Sequence, residues 1–179
     1  MRTLRWALIA AFTVLVSCGG GSSSSDSEAS LSPTDGGSEV AYNVGDTGPG
    51  GGIIVYVDEA GFDNSSGDDT SIGAMCLTGT CNYLEMAPTD LEGRYSWDEA
   101  IVAAEAFSTL SADDWLLPSK DALNVIYEFV ILDDFSADYY WTSSKTADNT
   151  VWLQDFTPGG KYLYPQASSS YYVRPVRAF

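Results

Sequence analysis

Apolar residues are spaced along this chain in distinct ways, and each spacing predicts a different kind of segment. Trp6 to Val16 is an apolar run, whereas Gly19 to Ala41 is Gly, Ser, Asp, Glu and Thr with almost nothing apolar. Ile53-Ile54-Val55-Tyr56-Val57 is β-branched and aromatic, which predicts a strand, entered through the turn residues Asp46-Thr47-Gly48-Pro49-Gly50-Gly51-Gly52. A phosphate cradle would follow a strand and open a helix; this glycine run precedes a strand and reads as a turn.

Two segments then take the helical period. Ser96-Trp97-Asp98-Glu99 has serine and glutamate at capping-box spacing, and Ala100, Ala103, Ala104 and Phe107 follow along one face. Ser119, after Pro118, can cap a second helix in which Ala122, Val125, Ile126 and Phe129 form the apolar stripe. Beyond Asp133 the pattern shortens to alternation. Strands are predicted over 139–143, 151–156, 161–164 and 171–176, with Pro158-Gly159-Gly160 as a hairpin turn. An early strand, two helices and a strand-rich C-terminal half indicate an α+β domain with mostly antiparallel strands.

Arg2 and Arg5 followed by the apolar run read as a signal peptide over 1–17, too short for a spanning helix, which needs about 20 apolar residues. Leu15-Val16-Ser17-Cys18 is similar to a bacterial lipobox, which implies lipid attachment at Cys18; ordinary cleavage without a lipid is the alternative. Gly19 follows the cysteine where inner-membrane retention typically has aspartate, so the expected address is the cell envelope, at the outer membrane or cell surface. Residues 18–41 then form a flexible tether with a reach of roughly 25–30 Å, and 42–179 remain for one domain.

The formal charge of −17 becomes −19 in a mature chain, because both N-terminal arginines leave and no acidic residue does. Such a surface disfavours nucleic acid, anionic lipid and sulfated glycans, so partners should be neutral, cationic or bridged by metal. With Cys18 assigned to lipid, Cys76 and Cys81 are expected to pair in an exported protein. The chain has no histidine, which excludes Ser-His-Asp and Cys-His catalysis and leaves only carboxylate pairs such as Asp113-Asp114 or Asp133-Asp134 for acid–base work. Adjacent carboxylates ordinarily point apart, so no enzyme is expected. Asp63-Asn64-Ser65-Ser66-Gly67-Asp68-Asp69 is an oxygen-rich loop that could hold calcium or be simply solvated; no other cofactor is indicated.

Three blocks carry a family resemblance: Trp115-Leu116-Leu117-Pro118-Ser119-Lys120, Tyr140-Trp141-Thr142-Ser143-Ser144, and Tyr172-Val173-Arg174-Pro175-Val176-Arg177-Ala178-Phe179. Their order and wording resemble the C-terminal domain family of the Legionella collagen-like adhesins. The resemblance implies a C-type-lectin-like fold in which both chain ends meet in one sheet. It also implies a ligand surface between the second helix and the last strand, about 145–170, with Asp148, Asn149, Trp152, Gln154, Lys161, Tyr162 and Tyr164 as candidate ligand-binding residues. Tyrosine and tryptophan in that region suit stacking on sugars or anchoring a protein interface. The chain lacks the Glu-Pro-Asn type of motif of calcium-dependent sugar binding, the basic surface suited to sulfated polysaccharides, and the collagen-like stalk.

Arg174 and Arg177 read as partners of buried or rim carboxylates. The expected role is thus a lipid-anchored, non-catalytic, adhesin-like module for glycan or surface protein. A structural envelope or assembly module is the alternative, and a fold-related enzyme comes third; the sequence leaves oligomeric state undetermined.

Overall fold

A computed structural model of the chain describes residues 41–129, 135–148, 150–157, 160–165 and 169–179. Cys18, the signal peptide, nearly all of the tether, Asn149, Asp133-Asp134 and the Pro158-Gly159 part of the predicted turn lie outside the described residues. The elements are β1 (Ile53–Phe62), a short 3-10 turn (Ile72–Met75), β2 (Cys81–Met86), α1 (Trp97–Glu105), α2 (Lys120–Phe129), β3 (Tyr139–Lys145), β4 (Thr150–Asp155), β5 (Gly160–Pro165) and β6 (Val176–Ala178). The domain is α+β, with its strands in two antiparallel sheets ordered β1-β2-β6 and β3-β4-β5. Among the described residues no helix is long and apolar enough to cross a membrane.

Local chemistry accounts for the helices. Ser96 precedes α1, and Glu99 reaches back to accept from both the Ser96 N–H at 3.0 Å and its hydroxyl at 2.7 Å. Ser119 caps α2: its hydroxyl oxygen accepts the Ala122 N–H at 3.2 Å while donating to the Ser71 carbonyl at 2.6 Å. Two expectations shift. Phe107 lies beyond the end of α1, where it packs edge-on against Trp115, because the helix stops at Glu105. On α2, Ala122, Leu123 and Ile126 are fully buried and Val125 only half so; the helix sits between two surfaces and is rotated toward Leu123.

The predicted first strand runs on to Phe62 through Gly61, whose φ of 81° allows the irregularity between Val57 and Phe62. β2 has no counterpart in the sequence reading. The predicted strand over 171–176 is replaced by isolated bridges at Tyr171 and Tyr172 and by a shorter β6. Pro175 has no N–H to give a ladder, and the Val173 and Pro175 carbonyls accept instead from Leu91 and Ala87.

The second sheet is covered on both faces. Tyr140 and Phe156, at one face, join Val55, Leu84, Met86, Leu123, Ile126 and Phe135 in one core cluster. Trp141, Val151 and Leu153, at the other, join Trp97, Ala100, Ala104, Leu117 and Val173 in a second. Cys76 and Cys81, both buried, are bonded to each other with S–S 2.02 Å, closing the short loop into β2.

Candidate functional site

The two-sided cover of the second sheet decides where the sequence-predicted site residues fall. Gln154 is 1% exposed and sits opposite Tyr140, so it is corrected from surface contact to core residue; alternation alone could not reveal that the sheet's second face is also packed. Its Nε2 donates weakly to the Asp155 carbonyl at 3.4 Å. Trp152 is half-buried, with the Lys120 Nζ 5.8 Å from its ring centroid. Asp148 is exposed, and the Thr146 hydroxyl it accepts is the main cause of a carboxyl held below its ordinary range. Lys161, Tyr162 and Tyr164 lie on β5, in register with Gln154, Leu153 and Val151 respectively. Trp152 and Gln154 alternate onto the same face of β4, but Gln154 is buried there and Trp152 is half-buried, so the two do not form a shared exposed surface.

A different set does converge. The backbones of Tyr95 and Tyr171 exchange two hydrogen bonds of 3.0 Å, and the Tyr172 N–H donates to the Tyr139 carbonyl at 3.1 Å. The Trp141 indole donates to the Tyr95 carbonyl at 2.7 Å. These bonds sew residues 95, 139 and 171–172 into one surface. Tyr171 meets Tyr139 edge-on at 5.3 Å and Trp141 at 4.9 Å, while Tyr172 stacks on buried Tyr140 at 5.4 Å. Arg94 lies over the Tyr172 ring at 4.7 Å and pairs with Asp138. Tyr139 is 37% exposed, and Tyr95, Tyr171 and Tyr172 are half-buried. Arg94 and Tyr95 also begin an open groove of 620 Å³ that continues along α1 past Val102 to Ala106. Aromatic rings held on paired backbone form a preorganised platform for an apolar or sugar face.

Sequence reasoning noticed Tyr139, Tyr171 and Tyr172 as part of an aromatic-rich segment but missed Arg94 and Tyr95, which lie in a stretch without periodicity. Their only signal was the Arg-Tyr pair just before a helix cap.

Elsewhere several charged groups are committed to structure. Glu85 is fully buried; Gly50 and Gly52 N–H groups donate to it at 3.1 and 2.6 Å and Arg177 at 2.9 Å. The glycine-rich turn therefore cradles an anion, but that anion is the protein's own carboxylate. Close approach requires the glycines: a Cβ at Gly48 would stand 2.5 Å from the Glu85 carboxyl carbon. Asp114 grips Arg177 through both oxygens, at 2.6 and 3.0 Å. Buried Arg174 donates to Asp90 at 2.6 Å, and Asp90 also accepts the Tyr140 hydroxyl at 2.7 Å.

In the oxygen-rich loop, Asp63 accepts from the Ser65 N–H and Asp68 from the N–H and hydroxyl of Thr70. These turns hold both carboxyls below their ordinary range, the side-chain hydrogen bond contributing most. Among the described residues no group of three or more His, Cys, Asp or Glu is arranged to hold a metal ion. A smaller cleft of 260 Å³ lies between this loop and the end of α1, with Met75, Leu116 and Leu117 in its lining.

Compared with known families and curated proteins, the chain matches no family model and no curated protein.

Proposed function

We propose that this is a lipid-anchored bacterial envelope protein whose single folded domain, C-type-lectin-like, acts as a non-catalytic, adhesin-like binding module for a glycan or a protein. The observation that carries the reading is the half-exposed cluster of Tyr95, Tyr139, Tyr171 and Tyr172 around Arg94, opening into the groove along α1. Rings locked by backbone pairing can bind with little ordering cost. The lectin-like assignment is supported by the blocks at 115–120, 140–144 and 172–179, and by the first and last strands flanking β2 in one sheet. The anchor is supported by the Leu15-Val16-Ser17-Cys18 signature after an apolar run. Commitment of Asp114, Asp90 and Glu85 to arginine pairs favours binding over acid–base chemistry.

Two experiments test it. The purified full chain is applied to a glycan and envelope-protein array, with calcium and with chelator. Saturable binding that weakens about tenfold on Tyr171→Ala, the scale of an aromatic anchor, is the expected result. A blank array would favour a structural envelope module. Loss of a lipid mass increment in Cys18→Ala, and its presence in the parent, tests the anchor.

A further inference from the structure

The carboxylates around the oxygen-rich loop are of two kinds. Asp63 and Asp68 accept hydrogen bonds from Ser65 and Thr70 within their own turns, and Glu99 closes the cap of α1. Asp69 and Glu105 are exposed, and their carboxylates have no hydrogen-bond or ion-pair partner among the described residues. It is this second pair that lines the 260 Å³ cleft, Asp69 from the loop and Glu105 from the last turn of α1.

The rest of the cleft is largely apolar. Met75 and Leu117 are buried side chains in its lining, and Ile101 joins them one helical turn before Glu105, on the same side of α1. Its walls are fixed before anything binds. The Ser144 hydroxyl donates to the Asp69 carbonyl at 2.9 Å, the Asp121 N–H to the Thr70 carbonyl at 3.0 Å, and the Ser143 N–H to the Pro118 carbonyl at 2.8 Å. A preformed cleft lowers the ordering cost of binding.

Charge then selects the ligand. None of the described lining residues is basic, and the carbonyl end of α1 adds its own negative potential. An anion is repelled there. Calcium takes six to eight oxygen ligands, whereas this cleft offers an aliphatic lining and two carboxylates. A neutral sugar would find no aromatic face among these residues and would cover the carboxylates without neutralising them. An organic ammonium ion meets both demands at once.

Independently of the tyrosine platform and its ligand, we infer that this cleft binds a small primary amine in its ammonium form. The nitrogen sits at the Asp69 and Glu105 carboxylates, and a short aliphatic body lies on Met75, Ile101 and Leu117.

Isothermal titration of the purified full chain at low salt with n-hexylammonium, 1-hexanol and hexanoate tests this. The expected result is saturable binding of the ammonium ion, about tenfold weaker binding of the alcohol and none of the carboxylate. Glu105→Gln and Asp69→Asn should each weaken the ammonium ion about twofold to fivefold while keeping the parent's thermal transition, and Tyr171→Ala should leave it unchanged. No saturable binding of the ammonium ion, equal binding of the alcohol, or indifference to both neutralised carboxylates would overturn the assignment. Loss of binding on Tyr171→Ala would move the cation to the tyrosine platform and overturn it as well.

Discussion

Arg177 stands directly across the β2–β6 pair from Glu85, and its Nη1 donates to Glu85 Oε2 at 2.9 Å. Gly50 and Gly52 donate to the same carboxylate, so one buried anion joins the entry turn, β2 and the last strand. Glu85→Ala would leave two amides and a guanidinium without their acceptor. Breaking a buried pair of this kind costs about 3–5 kcal/mol. Urea denaturation should show a loss of that size, and a loss below about 1 kcal/mol would mean that solvent replaces the carboxylate.

The same turn distinguishes two glycine substitutions. A Cβ on Gly52 would lie 2.1 Å from the Met86 carbonyl oxygen, which is held in the β1–β2 pair, so Gly52→Ala must push the strands apart. Gly51 has open space around it but a φ of 83°, so Gly51→Ala costs only the left-handed backbone penalty of about 1–2 kcal/mol. Thermal melts should rank Gly52→Ala as the more damaging; the reverse order would contradict the packing of the turn on Met86.

Burial, and then the Asp90 carboxylate beside it, pushes the Tyr140 hydroxyl above its ordinary value of 10. The folded protein therefore holds that proton more tightly than the unfolded chain. The resulting stability is fully present below pH about 10 and is lost as pH rises beyond it. Tyr140→Phe should cost about 1–3 kcal/mol at neutral pH, through the lost bonds to Asp90 and Ser136, and should flatten the alkaline fall. Tyr56, raised by burial and by Asp58, would supply a residual slope. Denaturation midpoints between neutral pH and pH about 11 would show it; an unchanged alkaline slope in Tyr140→Phe would count against the network.

The Cys76–Cys81 bond closes a loop with a sequence separation of only 5. On the chain-entropy account so short a loop contributes about 2 kcal/mol. Reduction should lower the urea midpoint accordingly and leave far-ultraviolet circular dichroism unchanged below it. Complete unfolding on reduction would show that the loop anchors β2 far more strongly than its length implies.

Both helices were legible because each announces itself locally, α1 through Ser96 and Glu99 and α2 through Ser119. The α+β order followed from the change of period after Asp133. β2 was illegible for a physical reason: Asn82 and Glu85 break its apolar pattern, and the groups that make a buried Glu85 tolerable lie 33 and 35 residues earlier in the glycine turn and 92 residues later at Arg177. Gln154 looked like a surface residue because alternation describes a sheet with one wet face, whereas here both faces are packed. The convergence of Tyr95 with Tyr171 depends on a single backbone bridge between distant segments, and no residue near either one signals it.

Tyr42, Tyr83 and Phe179 form one cluster, with Tyr42 edge-on to both partners at 5.4 and 5.8 Å, and the Phe179 carbonyl accepts from Asn82 and Tyr83. Residues at the two limits of the domain thus touch, which gives it the geometry of a removable cassette. A short peptide joining position 179 to position 42, with new termini cut at fully exposed Leu110, should still fold. The same closeness would let the whole unit be spliced into a surface loop of another protein without stretching either of them.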